Sequence, residues 1–147
     1  MHEAPTPSSL QVQDLVRQAF AWSEADDVDS ALQLRDALEG HERWNSSHRE
    51  STLREVKQRL LEASRIVVIG AAVSVEDLRS YDVNTAFVAA DGSVGALHDY
   101  SQLICVVSDL DGAKHLDAAA AHGQTILVHA HGDNKSQWQD RIIRWNN

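Results

Sequence analysis

The stretch LICVVSDLDGAKHLDAAAAHGQTILVHAHGDN, residues 103–134, decides the fold. It opens with a β-branched apolar run, LICVVS (103–108), closed by Asp109-Leu110-Asp111-Gly112. An alanine-rich segment follows. A second apolar run, TILVHA (125–130), then leads into His131-Gly132-Asp133-Asn134. Short apolar runs bounded by turn residues read as buried strands, and an alanine-rich stretch between two of them reads as a crossover helix. A strand, a helix and a parallel strand place both acidic turns at the carboxyl edge of one sheet, where open α/β sheets bind ligands.

Working outward, IVVIG (66–70) and TAFVAA (85–90) are two more such runs, the second followed by Asp91-Gly92-Ser93. Ser74 caps a short helix between them, with Glu76 and Asp77 in its first turn. A last helix is expected from about Ser136 to Trp145. Before Arg65 the periodicity is helical throughout: Leu10 to Trp22, about Asp26 to Glu39, and Ser47 to Ala63, with Gly40 as a stop. Residues 1–9, with Pro5 and Pro7, read as a frayed terminus. The expectation is an α/β protein: a doubly wound, mainly parallel sheet of about four strands (65–147) preceded by a helical region (1–64).

The formal net charge is −9, with three lysines in 147 residues. Neither part of the chain has a basic face, so nucleic acid is not an expected partner. No apolar run approaches the ~20 residues of a membrane span, and the N-terminus lacks signal-peptide regions. The single cysteine, Cys105, lies in an apolar run and reads as a buried, reduced core residue. These points favour the cytoplasm. The acidic, lysine-poor surface fits either a salt-rich cytoplasm or compositional drift.

The candidate site gathers the four strand ends. Asp91, Asp109, Asp111 and Asp133 would converge on one edge, where their mutual repulsion calls for a divalent cation such as Mg²⁺, which takes oxygen ligands and bridges to phosphates. His129 and His131 form an H-x-H pattern that suits zinc or a substrate contact; the neighbouring carboxylates are hard ligands and favour the substrate contact. Lys114 and Lys135 stand where helices begin, beside N–H groups that attract anions. GAAVSVEDL (70–78) has one glycine, too few for a P-loop or a dinucleotide fingerprint. His2, His41, His48, His98, His115 and His122 read as surface or packing residues, as do the four tryptophans.

VVIGAAVS, FVAADGS, VVSDLDG and ILVHAHGDN, in this order, resemble the archaeal 6-hydroxymethyl-7,8-dihydropterin pyrophosphokinase family, distantly related to the thiamine pyrophosphokinases. SEADDVDSALQL (23–34) resembles that family's helical leader, so the resemblance covers nearly the whole chain. It implies ATP-dependent diphosphoryl transfer to the pterin hydroxymethyl oxygen, with AMP leaving. Asp109, Asp111 and Asp133 would hold Mg²⁺, with Asp91 assisting. Asp109, Asp111, His131 and Asp133 would be the catalytic set. Gly70, Ser74, Asp91, Gly92, Lys114, His129, Asn134 and Lys135 would line the ATP and pterin sites. Ala72 and Val73 stand where the family has a glycine and a proline, and family members continue well past HAHGDN. A non-catalytic relative that keeps metal or nucleotide binding is therefore the second reading. A DxDG-type phosphatase is a third, set against by Ala113 after the motif and by the motif's late position. A homo-oligomer formed through an exposed sheet edge is a further expectation.

Overall fold

The computed structural model describes residues 8–21 and 23–145. The expected frayed terminus with His2, Pro5 and Pro7, and the helix end at Trp22, lie outside the described residues. Three helices come first: α1 (Ser9–Phe20), α2 (Glu24–Glu39) and α3 (Ser46–Glu62). Each start is fixed by a polar cap. Ser8 and Gln11 form a reciprocal capping box on α1, Ser23 accepts from the Asp26 N–H on α2, and Asn45 accepts from the His48 N–H on α3. Glu24, Asp26 and Asp27 put negative charge in the first turn of α2, where the helix dipole favours it.

The remaining elements alternate. They are β1 (Arg65–Ile69), α4 (Val75–Leu78), β2 (Thr85–Ala90), a 3₁₀ turn (Asp91–Ala96), β3 (Leu103–Ser108), α5 (Ala113–Ala121), β4 (Ile126–Val128), a second 3₁₀ turn (Gly132–Asn134) and α6 (Lys135–Trp145). The strands pair in the order β1-β2-β3-β4, every pair parallel. β2 and β3 keep their expected bounds, and β1 lies one residue earlier than expected. The largest difference is β4, which stops at Val128 and leaves His129 and Ala130 outside the sheet.

Helices lie on both faces. On one, Ile69, Phe87, Ala89, Leu103 and Val106 pack with Val94, with Leu116 and Ala119 of α5, with Trp138 of α6 and with Leu34 of α2. On the other, Val56 and Leu60 of α3 cover Ile104, Cys105, Ala86, Val88 and Leu127. The strand order never reverses. Crossovers in parallel sheets are right-handed, so the connections after β1, β2 and β3 all fall on one face. The opposite face is closed by α3, which precedes the sheet in the chain. Its cover is partial: Val68 of β1 is 72% exposed.

One irregularity shapes the centre. Phe87 pairs with Leu103 but Val88 pairs with Cys105, so two residues of β3 oppose one step of β2. This bulge sends both Ile104 and Cys105 to the α3 face. Cys105 is free and buried there, and burial pushes its thiol up from the ordinary value. Arg59 of α3 donates to the Leu103 carbonyl at 2.8 Å, anchoring the helix beside the bulge.

Candidate functional site

The carboxyl edge is assembled by hydrogen bonds between successive strand ends. After β1, the Ile69 carbonyl accepts from the buried Ser93 hydroxyl at 2.9 Å, which fixes the Asp91–Ala96 turn against the first strand. Asp91 itself sits at φ 50°, an unusual conformation for a non-glycine residue. Its Oδ1 accepts from the Asp109 N–H at 3.1 Å, joining the second strand end to the third. Asp109 Oδ1 in turn accepts from the Asp111 N–H at 3.1 Å. Leu110 adopts φ 81°, held by its N–H to Ser108 Oγ at 2.8 Å, and its side chain is buried in the core. The strain at Leu110 is stored between two aspartates, the kind of place where functional loops keep it.

Asn134 joins the third strand end to the fourth. It is 2% exposed. Its Nδ2 donates to the Asp109 carbonyl at 2.7 Å and to the His129 carbonyl at 2.8 Å, and its Oδ1 accepts from the His131 N–H at 3.0 Å. Those atoms, expected to face a substrate, are engaged with protein. The rings of His129 and His131 lie 5.4 Å apart, tilted by 41°. They are neighbours, as the H-x-H spacing requires, although both lie beyond the strand. His131 Nδ1 contacts the Asp133 carboxylate.

The N-terminal helices also reach this edge. Asp27 Oδ1 accepts from the Gly132 N–H at 3.0 Å, and its Oδ2 pairs with Arg17 at 3.0 Å. The Gly132 N–H, then Arg17, hold the Asp27 carboxyl below its ordinary range, against the opposing pull of partial burial. Gly132 is required here for space: a Cβ would stand 2.9 Å from Asp26 Cβ.

Among the described residues, no three His, Cys, Asp or Glu side chains converge into a group that could hold a metal unaided. Asp109, Asp111 and Asp133 are thus not gathered into a three-ligand cage, and the same holds for a zinc site at the H-x-H pair. Asp111 is exposed, and Asp133 is engaged with His131. Asp91 and Asp109 fit a looser mode. Each has one carboxylate oxygen bound to backbone and the other without a partner among the described residues, and Mg²⁺ commonly uses one or two carboxylates with substrate phosphates. Lys135 is the first residue of α6 and Lys114 the second of α5, both at helix starts as expected. Ser74 caps α4 and is engaged with Asp77. Gly70 is exposed, and a side chain there would meet nothing within 4 Å.

Beside Asp91 lies an open cavity of about 570 Å³ between the β1–α4 turn and the Asp91–Ala96 turn. Val73, Ser74, Glu76, Asp91, Gly95 and His115 are among its lining residues. Glu76 and His115 were not expected at the site. The signal available was the spacing of Gly92 and Gly95, which leaves room for a ring: a Cβ at Gly95 would stand 2.3 Å from His115 Nδ1.

Fold and edge together define a parallel α/β protein with carboxylates and histidines at its strand ends and an open cavity beside Asp91. The chain is 28% identical over 129 residues to a 6-hydroxymethyl-7,8-dihydropterin pyrophosphokinase of Methanocaldococcus jannaschii. That match covers 81% of this chain and 50% of the relative, so the chain spans about half the length of the protein it matches. No family model and no solved structure matches it. Among the described residues, no helix is long and apolar enough to cross a membrane.

Proposed function

We propose that this chain catalyses ATP-dependent diphosphoryl transfer to the hydroxymethyl oxygen of 6-hydroxymethyl-7,8-dihydropterin. The observation that carries the reading is Asn134, which ties the Asp109 loop to the His129–His131 loop and so brings carboxylates and imidazoles to one edge. The similarity to the archaeal pterin pyrophosphokinase supplies the substrate. In the reaction the pterin oxygen forms a bond to the β-phosphorus of ATP, the bond from that phosphorus to the α,β-bridging oxygen breaks, and AMP leaves. Such chemistry rests on positioning and charge neutralisation more than on a protein nucleophile.

His131 takes the hydroxyl proton, its ring oriented through Nδ1 by Asp133. Lys135 and His129 contact phosphate oxygens from the fourth strand end, and Lys114 does so from the third. Asp109 and Asp91 would hold Mg²⁺, with Asp111 beside them, and the ion would neutralise charge on the phosphates. A second reading, a non-catalytic nucleotide-binding relative, is favoured by Ala72 and Val73 in the β1–α4 turn, where Val73 lines the cavity.

A coupled assay for AMP release with Mg²⁺, ATP and the pterin separates the two. The expected result is pterin-dependent AMP that falls about 100-fold or more in Asp109→Asn. Folded wild-type protein that releases no AMP would leave only the second reading.

A further inference from the structure

Apart from Asp91, the residues lining the cavity have no role in the phosphate chemistry above, and they are of a different kind. Ala71, Val73, Ala90 and Ala96 give it small apolar walls, while Ser74, Glu76, Asp91 and His115 supply the polar groups. Its volume, about 570 Å³, falls in the range of small-molecule sites. The His115 ring stands against Gly95, which has no left-handed backbone to account for a glycine; the ring's position is the reason for it. His115 thus packs on the Gly95 backbone in the wall of the cavity.

The carboxylates around the cavity are not equivalent. Asp77, next to it in sequence, is committed to the α4 cap: its Oδ2 accepts from the Ser74 N–H at 2.9 Å and from the Ser74 hydroxyl at 2.7 Å. Asp91 accepts from the Asp109 N–H. Glu76 lines the cavity, and its carboxylate has no partner among the described residues. It extends from the first turn of α4, whose capping box fixes the backbone beneath it.

We propose that this cavity seats the bicyclic ring of the substrate and that Glu76 reads its 2-amino-4-oxopyrimidine edge. This rests on the pterin reading above and adds the residue that selects the ring. A pterin presents N3–H and the 2-amino group side by side, two donors that one carboxylate accepts together. The Watson–Crick edge of adenine sets a donor beside an acceptor, so a carboxylate there would face the N1 lone pair. The edge chemistry therefore assigns the pterin to this cavity and leaves the nucleotide base elsewhere. Asp91 belongs both to the cavity and to the contact with Asp109, so a ring seated there adjoins the strand-end carboxylates where the phosphates react.

The test is fluorescence titration of the full chain with 6-hydroxymethylpterin and with the corresponding lumazine, in which oxygen replaces the 2-amino group, without ATP. Glu76→Gln is exposed and keeps the cap, and circular dichroism confirms its fold. The expected result is about 10-fold or greater weakening of pterin binding in Glu76→Gln, with the preference for pterin over lumazine reduced. Equal pterin affinity and unchanged preference in Glu76→Gln, with wild-type pterin-dependent AMP release intact, would overturn this assignment alone. Wild-type protein that neither binds the pterin nor releases AMP would bring down the underlying reading as well.

Discussion

A side-chain amide offers two donors and an acceptor oxygen, and buried polar groups are costly when left unpaired. Asn134 uses both donors and the oxygen on backbone atoms of the two acidic motifs. In the sequence it reads as one more polar turn residue after Asp133, and nothing in its neighbours separates a substrate contact from a clamp. The distinguishing facts are burial and a partner 25 residues away, neither of which leaves a local trace. The same is true of Asp27, whose partner Gly132 is 105 residues distant. Replacing Asn134 with alanine orphans two carbonyls and one N–H. The expected cost is about 3 kcal/mol, read as a lower urea midpoint with little change in slope, and pterin-dependent AMP release should fall with it. A midpoint within error of wild type would mean that water or a loop shift replaces all three bonds, and the clamp would lose its standing as the organiser of the edge.

At the scale of elements, apolar period and turn chemistry made the alternation of strands and helices readable. LICVVS, TAFVAA and IVVIG became β3, β2 and β1 within a residue or so, and the Ser74 cap stands where the sequence put it. The bulge at Ile104–Cys105 was not readable, because LICVV is apolar at every position and so carries no alternation to break. The approach of two loops was half readable. Gly92 and Gly112 each follow an aspartate at a strand end, but only the structure brings them together. A Cβ at Gly112 would stand 2.7 Å from Gly92 Cα, and Gly112 also needs φ +80°. Alanine at 112 therefore meets a backbone clash and a disfavoured conformation at once. The expected loss is about 2 kcal/mol or more, larger than for Gly92→Ala, whose Cβ would lie 3.3 Å from Gly112 Cα. Thermal melts of the two variants check the order. If Gly92→Ala proves the more damaging, the loops do not pack as described.

For the molecule as a whole, the sequence pattern changes at Arg65, from a helical region to a strand-bearing one. Packing joins the two. Leu34 of α2 lies in the same core as Ile69, Phe87 and Trp138, and the buried Trp138 Nε1 donates to the buried Ser30 of α2 at 3.2 Å. Val56 of α3 closes the opposite face over Ile104 and Cys105. Helices that precede the sheet thus pack on both of its sides: α3 closes one face of β3, and α2 adds Leu34 to the core that α5 and α6 build on the other. Strand order and helix placement arise from contacts over long sequence separations, so no local pattern announces them. The consequence is a single cooperative unfolding transition. Tryptophan fluorescence sums Trp138 and Trp145 in α6, Trp44 near the start of α3, and Trp22, whereas far-ultraviolet circular dichroism weights all the helices. Both signals should give the same urea midpoint, and Leu34→Ala, at an expected cost of about 2–4 kcal/mol, should lower both midpoints together. Two resolved midpoints, with only the helical signal moving in Leu34→Ala, would show that the N-terminal helices unfold by themselves, and Asp27 would then contact the Gly132 loop from outside the cooperative core.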